Sequence, residues 1–90
     1  MTEAGKWNVL LVDDDKFLVD MYSMKFTAGN YQVQACLSVS DALDALKVGF
    51  RADAIVFDLL MPEQDGFSFL QALSKGGLTK GAVLIALTNQ

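Results

Sequence analysis

The 90-residue chain contains no histidine, one cysteine and one proline. A single cysteine excludes a disulfide framework and a thiolate metal cluster; it suits a reducing cytoplasm, and Cys36 reads as a small buried hydrophobe. Cations are scarce as well. Seven Lys and Arg against 11 Asp and Glu leave a formal net charge of −4. That balance argues against direct binding to nucleic acid or to an acidic membrane surface, because both need clustered positive charge. No apolar run approaches the roughly 20 residues of a membrane span, and no apolar leader precedes Trp7, so a cytoplasmic protein without a membrane partner is expected. No glycine-rich turn follows the first apolar run either. Asp13-Asp14-Asp15 stands there instead and would repel a pyrophosphate, which removes a dinucleotide-binding reading.

What the chain does have is apolar material in short blocks. Hydrophobic residues make up 52% of it, enough for one small folded domain spanning 1–90. Trp7 to Val12 reads as a buried strand that stops at the three aspartates. Lys16 to Ala28 then carries Phe17, Leu18, Met21 and Tyr22, with Met24 or Lys25, at helical spacing; Asp15 is the N-cap and Gly29-Asn30 the stop. Tyr31 to Cys36 alternates Val33 and Ala35 with Gln32 and Gln34, the pattern of a half-buried strand near an edge. Ser38 to Asp41 has capping-box spacing for a second helix through Ala42, Leu43, Ala45 and Leu46, ending near Gly49, with Asp41 and Asp44 as solvated charges. Ala52 to Asp58 is a third strand, Phe67 to Leu73 a short third helix after the Asp65-Gly66 turn, and Ala82 to Leu87 a fourth strand. Strands alternate with helices, which specifies a parallel sheet with right-handed crossovers.

Three of these strands end in polar groups: Asp13 and Asp14 after the first, Asp58 after the third, Thr88 after the fourth. Carboxyl ends of parallel strands share one side, so the groups converge if the first and third strands are neighbours. Two like charges about 4 Å apart repel by about 4 kcal/mol at an effective dielectric near 20, so such a cluster holds a proton or a cation. With oxygen ligands alone the fitting ion is hard, Mg²⁺ with Mn²⁺ as second choice. Mg²⁺ leaves room for water and a phosphate oxygen, which points to phosphoryl transfer with Asp58 as an ionised nucleophile and Thr88 donating a hydroxyl hydrogen bond.

Val9-Leu10-Leu11-Val12-Asp13-Asp14-Asp15, Ile55 to Gly66 and Leu84-Ile85-Ala86-Leu87-Thr88, in that order and with matching intervening elements, resemble the receiver domain of two-component response regulators. The resemblance implies a flavodoxin-like, doubly wound α/β sheet, here of four strands in the order 2-1-3-4 with three helices. It makes Asp58 the phospho-acceptor, supplied by a histidine kinase or a phosphotransfer protein. Asp14 would bind Mg²⁺ directly and Asp13 largely through water, with the backbone carbonyl of Leu60 completing the protein's share. Thr88 matches the switch hydroxyl, and Pro62 and Gly66 shape the loop after the acceptor.

The chain departs from the family pattern in three places. Asn89 replaces the usual small residue beside the phosphate. Leu60 sets an apolar side chain by the path of attacking water, so slow self-dephosphorylation is expected. The family's closing helix, strand with its lysine, and last helix have no counterpart in 1–90, which leaves the fourth strand as an open edge inviting a homo-oligomer or a complementing chain. The rival reading is a non-switching interaction or dimerisation module that keeps the acidic pocket. A phosphatase of the haloacid-dehalogenase type needs a second Asp two residues after the nucleophile, where Leu60 stands.

Overall fold

The computed structural model describes residues 7–58, 66–76 and 81–87. Its first strand, β1 (Asn8–Val12), forms where four consecutive apolar side chains can be buried on both faces of a sheet, and Val9 to Val12 are all buried. The next elements are α1 (Lys16–Ala28), β2 (Gln32–Cys36), α2 (Val39–Lys47), β3 (Ala54–Asp58), α3 (Gly66–Gly76) and β4 (Val83–Leu87). All strand pairs are parallel, in the order β2-β1-β3-β4. The glutamine-bearing strand is at an edge, as its wet alternation required.

The caps expected from the sequence are in place. Asp15 accepts from the backbone N–H groups of Phe17 (2.9 Å) and Leu18 (3.3 Å), and Ser38 Oγ accepts from that of Asp41 at 3.0 Å. After α2 the chain reverses at Gly49, whose φ of +115° favours a residue without Cβ.

Register divides the core between two faces. Leu10, Val12, Cys36, Ile55 and Phe57 point toward α2 and α3, where Val39, Ala42, Leu46, Phe69 and Leu73 close the larger cluster. Phe57 and Phe69 meet edge to face with ring centroids 5.5 Å apart. Val9, Leu11 and Val56 point the other way, to Val19 of α1, with Tyr22, Phe26 and Val33 packed around them. Helices on both faces of a parallel sheet make the fold doubly wound.

Two details differ from the sequence reading. The expected helical residues of α1 included Phe17 and Met24, yet both are exposed, and the face toward the sheet is Val19, Tyr22 and Phe26. The third strand starts at Ala54 rather than Ala52, because Asp53 is used as a tie: its carboxylate accepts from the Asn8 N–H at 2.7 Å, its N–H donates to the Asn8 carbonyl at 2.8 Å, and its carbonyl accepts from Val83 N–H at 2.9 Å. Asn8 Nδ2 also donates to the Arg51 carbonyl at 3.0 Å. These bonds pin the amino-terminal ends of three strands and set the register that brings their other ends level.

Candidate functional site

Register alone places the key acids. Val12 is opposite Phe57, so Asp13 and Asp58 come next on adjacent parallel strands, which lie about 4.8 Å apart. Asp58 is the last residue of β3 and Asp13 the first beyond β1. The Asp13 N–H extends the ladder by donating to the Cys36 carbonyl at 3.1 Å. Both carboxylates are almost wholly buried, with 2% of Asp13 and 4% of Asp58 exposed.

Asp14 projects from the loop into solvent but still contributes an oxygen to the group. One carboxylate oxygen from each of Asp13, Asp14 and Asp58 lies within 4.8 Å of the others. The third aspartate has a different task. Asp15 caps α1, and its N–H donates to Asp13 Oδ1 at 3.0 Å, an Asx-type turn that orients the buried carboxylate. The sequence reading missed this donor; its trace is the uninterrupted acidic triplet, in which the first side chain can bond the backbone two residues on.

Electrostatics follow from this packing. Burial pushes the Asp13 carboxyl above the ordinary carboxylate range, and the charges of Asp58 and Asp14 push the same way, while the Asp15 N–H pulls against them. Burial likewise raises the Cys36 thiol, with the Asp41 charge adding to it, which keeps this free cysteine an unreactive core residue. With oxygens within 4.8 Å and an effective dielectric near 20, an ionised Asp13–Asp58 pair repels by at least about 3.5 kcal/mol, so the arrangement favours a proton or a hard cation.

Of the other expected site residues, Gly66 is the first residue of α3. Leu60, Pro62, Thr88 and Asn89 lie outside the described residues. Among the described residues no helix is long and apolar enough to cross a membrane.

Comparison with known proteins gives consistent matches. The family model described as response regulator receiver domain matches residues 9–90. The DNA-binding dual master transcriptional regulator RpaA of Synechocystis sp. is 31% identical over 80 residues, covering 89% of this chain and 33% of that protein. Response regulator MprA of Mycolicibacterium vanbaalenii is 30% identical over 69 residues, covering 77% of this chain and 29% of its own length. The chain thus spans about a third of the curated relatives it matches. Among solved structures, chemotaxis response regulator CheY4 of Vibrio cholerae superposes with a TM-score of 0.83 at 29% identity, covering 94% of this chain and 70% of that one.

Proposed function

The chain belongs to the response regulator receiver domain family of two-component systems, and on that premise we propose that Asp58 accepts a phosphoryl group from a phosphohistidine of a histidine kinase or phosphotransfer protein. The observation that carries this reading is the buried Asp58 carboxylate at the end of β3, with oxygens of Asp13 and Asp14 within 4.8 Å. An Asp58 oxygen attacks phosphorus, the new P–O bond forms as the donor's P–N bond breaks, and the imidazole leaves with the electron pair.

The residues present fit a hard divalent ion, since every donor in the group is a carboxylate oxygen. We assign Asp13, Asp14, Asp58 and the Leu60 carbonyl to Mg²⁺, with Mn²⁺ able to replace it. When bound, the ion supplies positive charge against the acid cluster and the oxygens of the transferring group. Thr88 donates its hydroxyl to a phosphoryl oxygen, Asn89 modulates that pocket, and Pro62 and Gly66 shape the loop after the acceptor. The domain is a signalling module; its chemistry in isolation is limited to Mg²⁺-dependent self-phosphorylation and self-dephosphorylation. We place it in the cytoplasm, with no direct contact to nucleic acid.

Residues 1–90 act as one receiver-like unit. The exposed Val83, Leu84 and Ile85 on edge strand β4 support pairing there with a second copy or a complementing chain.

Incubation with Mg²⁺ and acetyl phosphate, read by intact mass, is expected to add one phosphoryl group to wild type and none to Asp58→Asn. An unmodified wild type would move the domain to the non-switching interaction reading. A phosphoryl group retained in Asp58→Asn would place the acceptor elsewhere.

A further inference from the structure

Asp15 does not belong to the oxygen group of Asp13, Asp14 and Asp58, yet it is bonded both to that group and to the helix beside it. Its N–H donates to Asp13 Oδ1 at 3.0 Å. Its Oδ1 accepts from Phe17 N–H at 2.9 Å and Leu18 N–H at 3.3 Å, and its carbonyl accepts from Val19 N–H at 3.0 Å. Val19 in turn is buried in the cluster with Val9, Leu11 and Val56. The backbone of Asp15, at φ −90° and ψ 105°, is therefore fixed from the α1 side, and the same backbone aims an N–H at a buried acid of the site.

We propose that Asp15 is a positioning residue for the acid site: by capping α1 it holds its own N–H on Asp13 Oδ1, and that bond fixes the rotamer in which Asp13 meets Asp14 and Asp58. The proposal rests on the assignment of these three acids to a hard divalent ion made above. Repulsion among like charges favours any Asp13 rotamer that swings the carboxylate away from its neighbours, and the charge-assisted bond from Asp15 opposes that swing. The freedom of the Asp13 side chain is then lost on folding rather than on ion binding, which strengthens binding. The competing explanation is the bare charge of Asp15, which would attract a cation whatever bonds it makes. Its carboxylate is already engaged by the positive end of α1 through Phe17 and Leu18, which makes its position, more than its charge, the effective property.

Substitution separates cap from charge. Asp15→Asn and Asp15→Ser keep a capping oxygen without the charge, and Asp15→Ala keeps neither. The two capping variants are expected to bind Mg²⁺ within about twofold of wild type, since an exposed charge is well screened. Asp15→Ala is expected to bind it about three- to tenfold more weakly, the usual cost of a lost N-cap read as a binding ratio. Exchange of the Asp14–Asp15 amide for an ester removes the N–H and keeps the Asp15 side chain. It is expected to weaken Mg²⁺ about tenfold or more, as loss of a bond that orients a metal ligand does. The lone Cys36 makes the exchange accessible, because segments 1–35 and 36–90 can be joined there by thioester ligation without altering the sequence.

Titration of the 90-residue chain with MgCl₂, followed by amide chemical shifts at a temperature where every variant is folded, reads these affinities without phosphoryl chemistry. Ser38→Ala is the control for stability alone. It removes the cap that α2 receives through the Asp41 N–H at 3.0 Å, and is expected to lower the thermal midpoint while leaving Mg²⁺ affinity unchanged. Four results would overturn the proposal: Asp15→Asn, Asp15→Ser and Asp15→Ala weakened equally, Asp15→Ala binding as wild type does, the ester binding as the amide does, or Ser38→Ala weakened as much as Asp15→Ala. Each of these leaves the metal assignment standing. A wild type that takes up no Mg²⁺ would remove that assignment and this proposal with it.

Discussion

Replacing Asp13 by Asn is expected to stabilise the metal-free domain. In wild type a carboxylate with 2% exposure is held within 4.8 Å of another with 4%. At an effective dielectric near 20 the ionised pair is worth about 3.5 kcal/mol of repulsion, and the Asp13–Asp14 pair adds less because Asp14 is solvated. The Asn side chain removes that repulsion and the desolvation of the charge. Its oxygen keeps the acceptor for the Asp15 N–H at 3.0 Å, although the bond weakens once it is no longer charge-assisted, and the new amide N–H groups need partners; together these forfeit about 1–2 kcal/mol. The balance is a gain of about 1.5–2.5 kcal/mol, or roughly 6–20 °C in Tm for a domain of this size. Circular-dichroism melts at neutral pH in EDTA test this directly. Added Mg²⁺ is expected to raise the wild-type midpoint by mass action and to leave that of Asp13→Asn nearly unmoved, so the stability order closes or inverts. A variant that melts below wild type in EDTA would refute the view that the acids are held together against their repulsion.

Three further outcomes follow from the same geometry. Because the folded-state pKa of Asp13 is raised above its ordinary value of 3.8, the folded state binds more protons than the unfolded one in the window above 3.8; Asp13's contribution to stability therefore falls as pH rises through its folded pKa, and metal-free melts across acidic to neutral pH are expected to show a decline that is absent in Asp13→Asn. Asp15→Ala removes the side-chain acceptor for the Phe17 and Leu18 N–H groups and is expected to cost about 1 kcal/mol in urea unfolding, with Asp15→Ser restoring most of it. Leu60→Asn is expected to shorten the lifetime of phospho-Asp58 in a phosphoryl-loss time course by offering a polar group to attacking water; an unchanged lifetime would count against the slow self-dephosphorylation expected of Leu60.

Much of the fold was legible because local signals agreed. The Val9–Val12 and Ile55–Phe57 runs marked strands buried on both faces, the Gln alternation marked an edge, and the caps at Asp15 and Ser38 fixed two helix starts. The convergence of Asp13, Asp14 and Asp58 required only that β1 and β3 be neighbours. The division of labour within the acidic triplet was harder to read. Three identical residues are told apart only by the end of a ladder, the turn that leaves it and the first turn of a helix, so one is buried, one solvated and one a cap. The seated face of α1 was ambiguous for a related reason: periodicity identifies a helix, but two opposed apolar stripes give no preferred side, and packing against β1 and β2 decides. The start of β3 was misplaced because Ala52 and Ala54 flank Asp53 as if it continued the strand's alternation, whereas Asp53 acts as a clamp ahead of the strand in three dimensions.

That clamp gives the sheet an uneven grain. Asn8 and Asp53 stitch three strands together at one end through bonds of 2.7 to 2.9 Å, while the opposite end carries two buried like charges side by side. Opening therefore begins at the acidic end. In native-state hydrogen exchange the Asp13 amide is expected to be released by local fraying while the Asn8 and Asp53 amides wait for global unfolding, and any cation or proton that quiets the acids is expected to even out the gradient. Occupancy of the site is thereby readable in backbone protection as well as in chemistry.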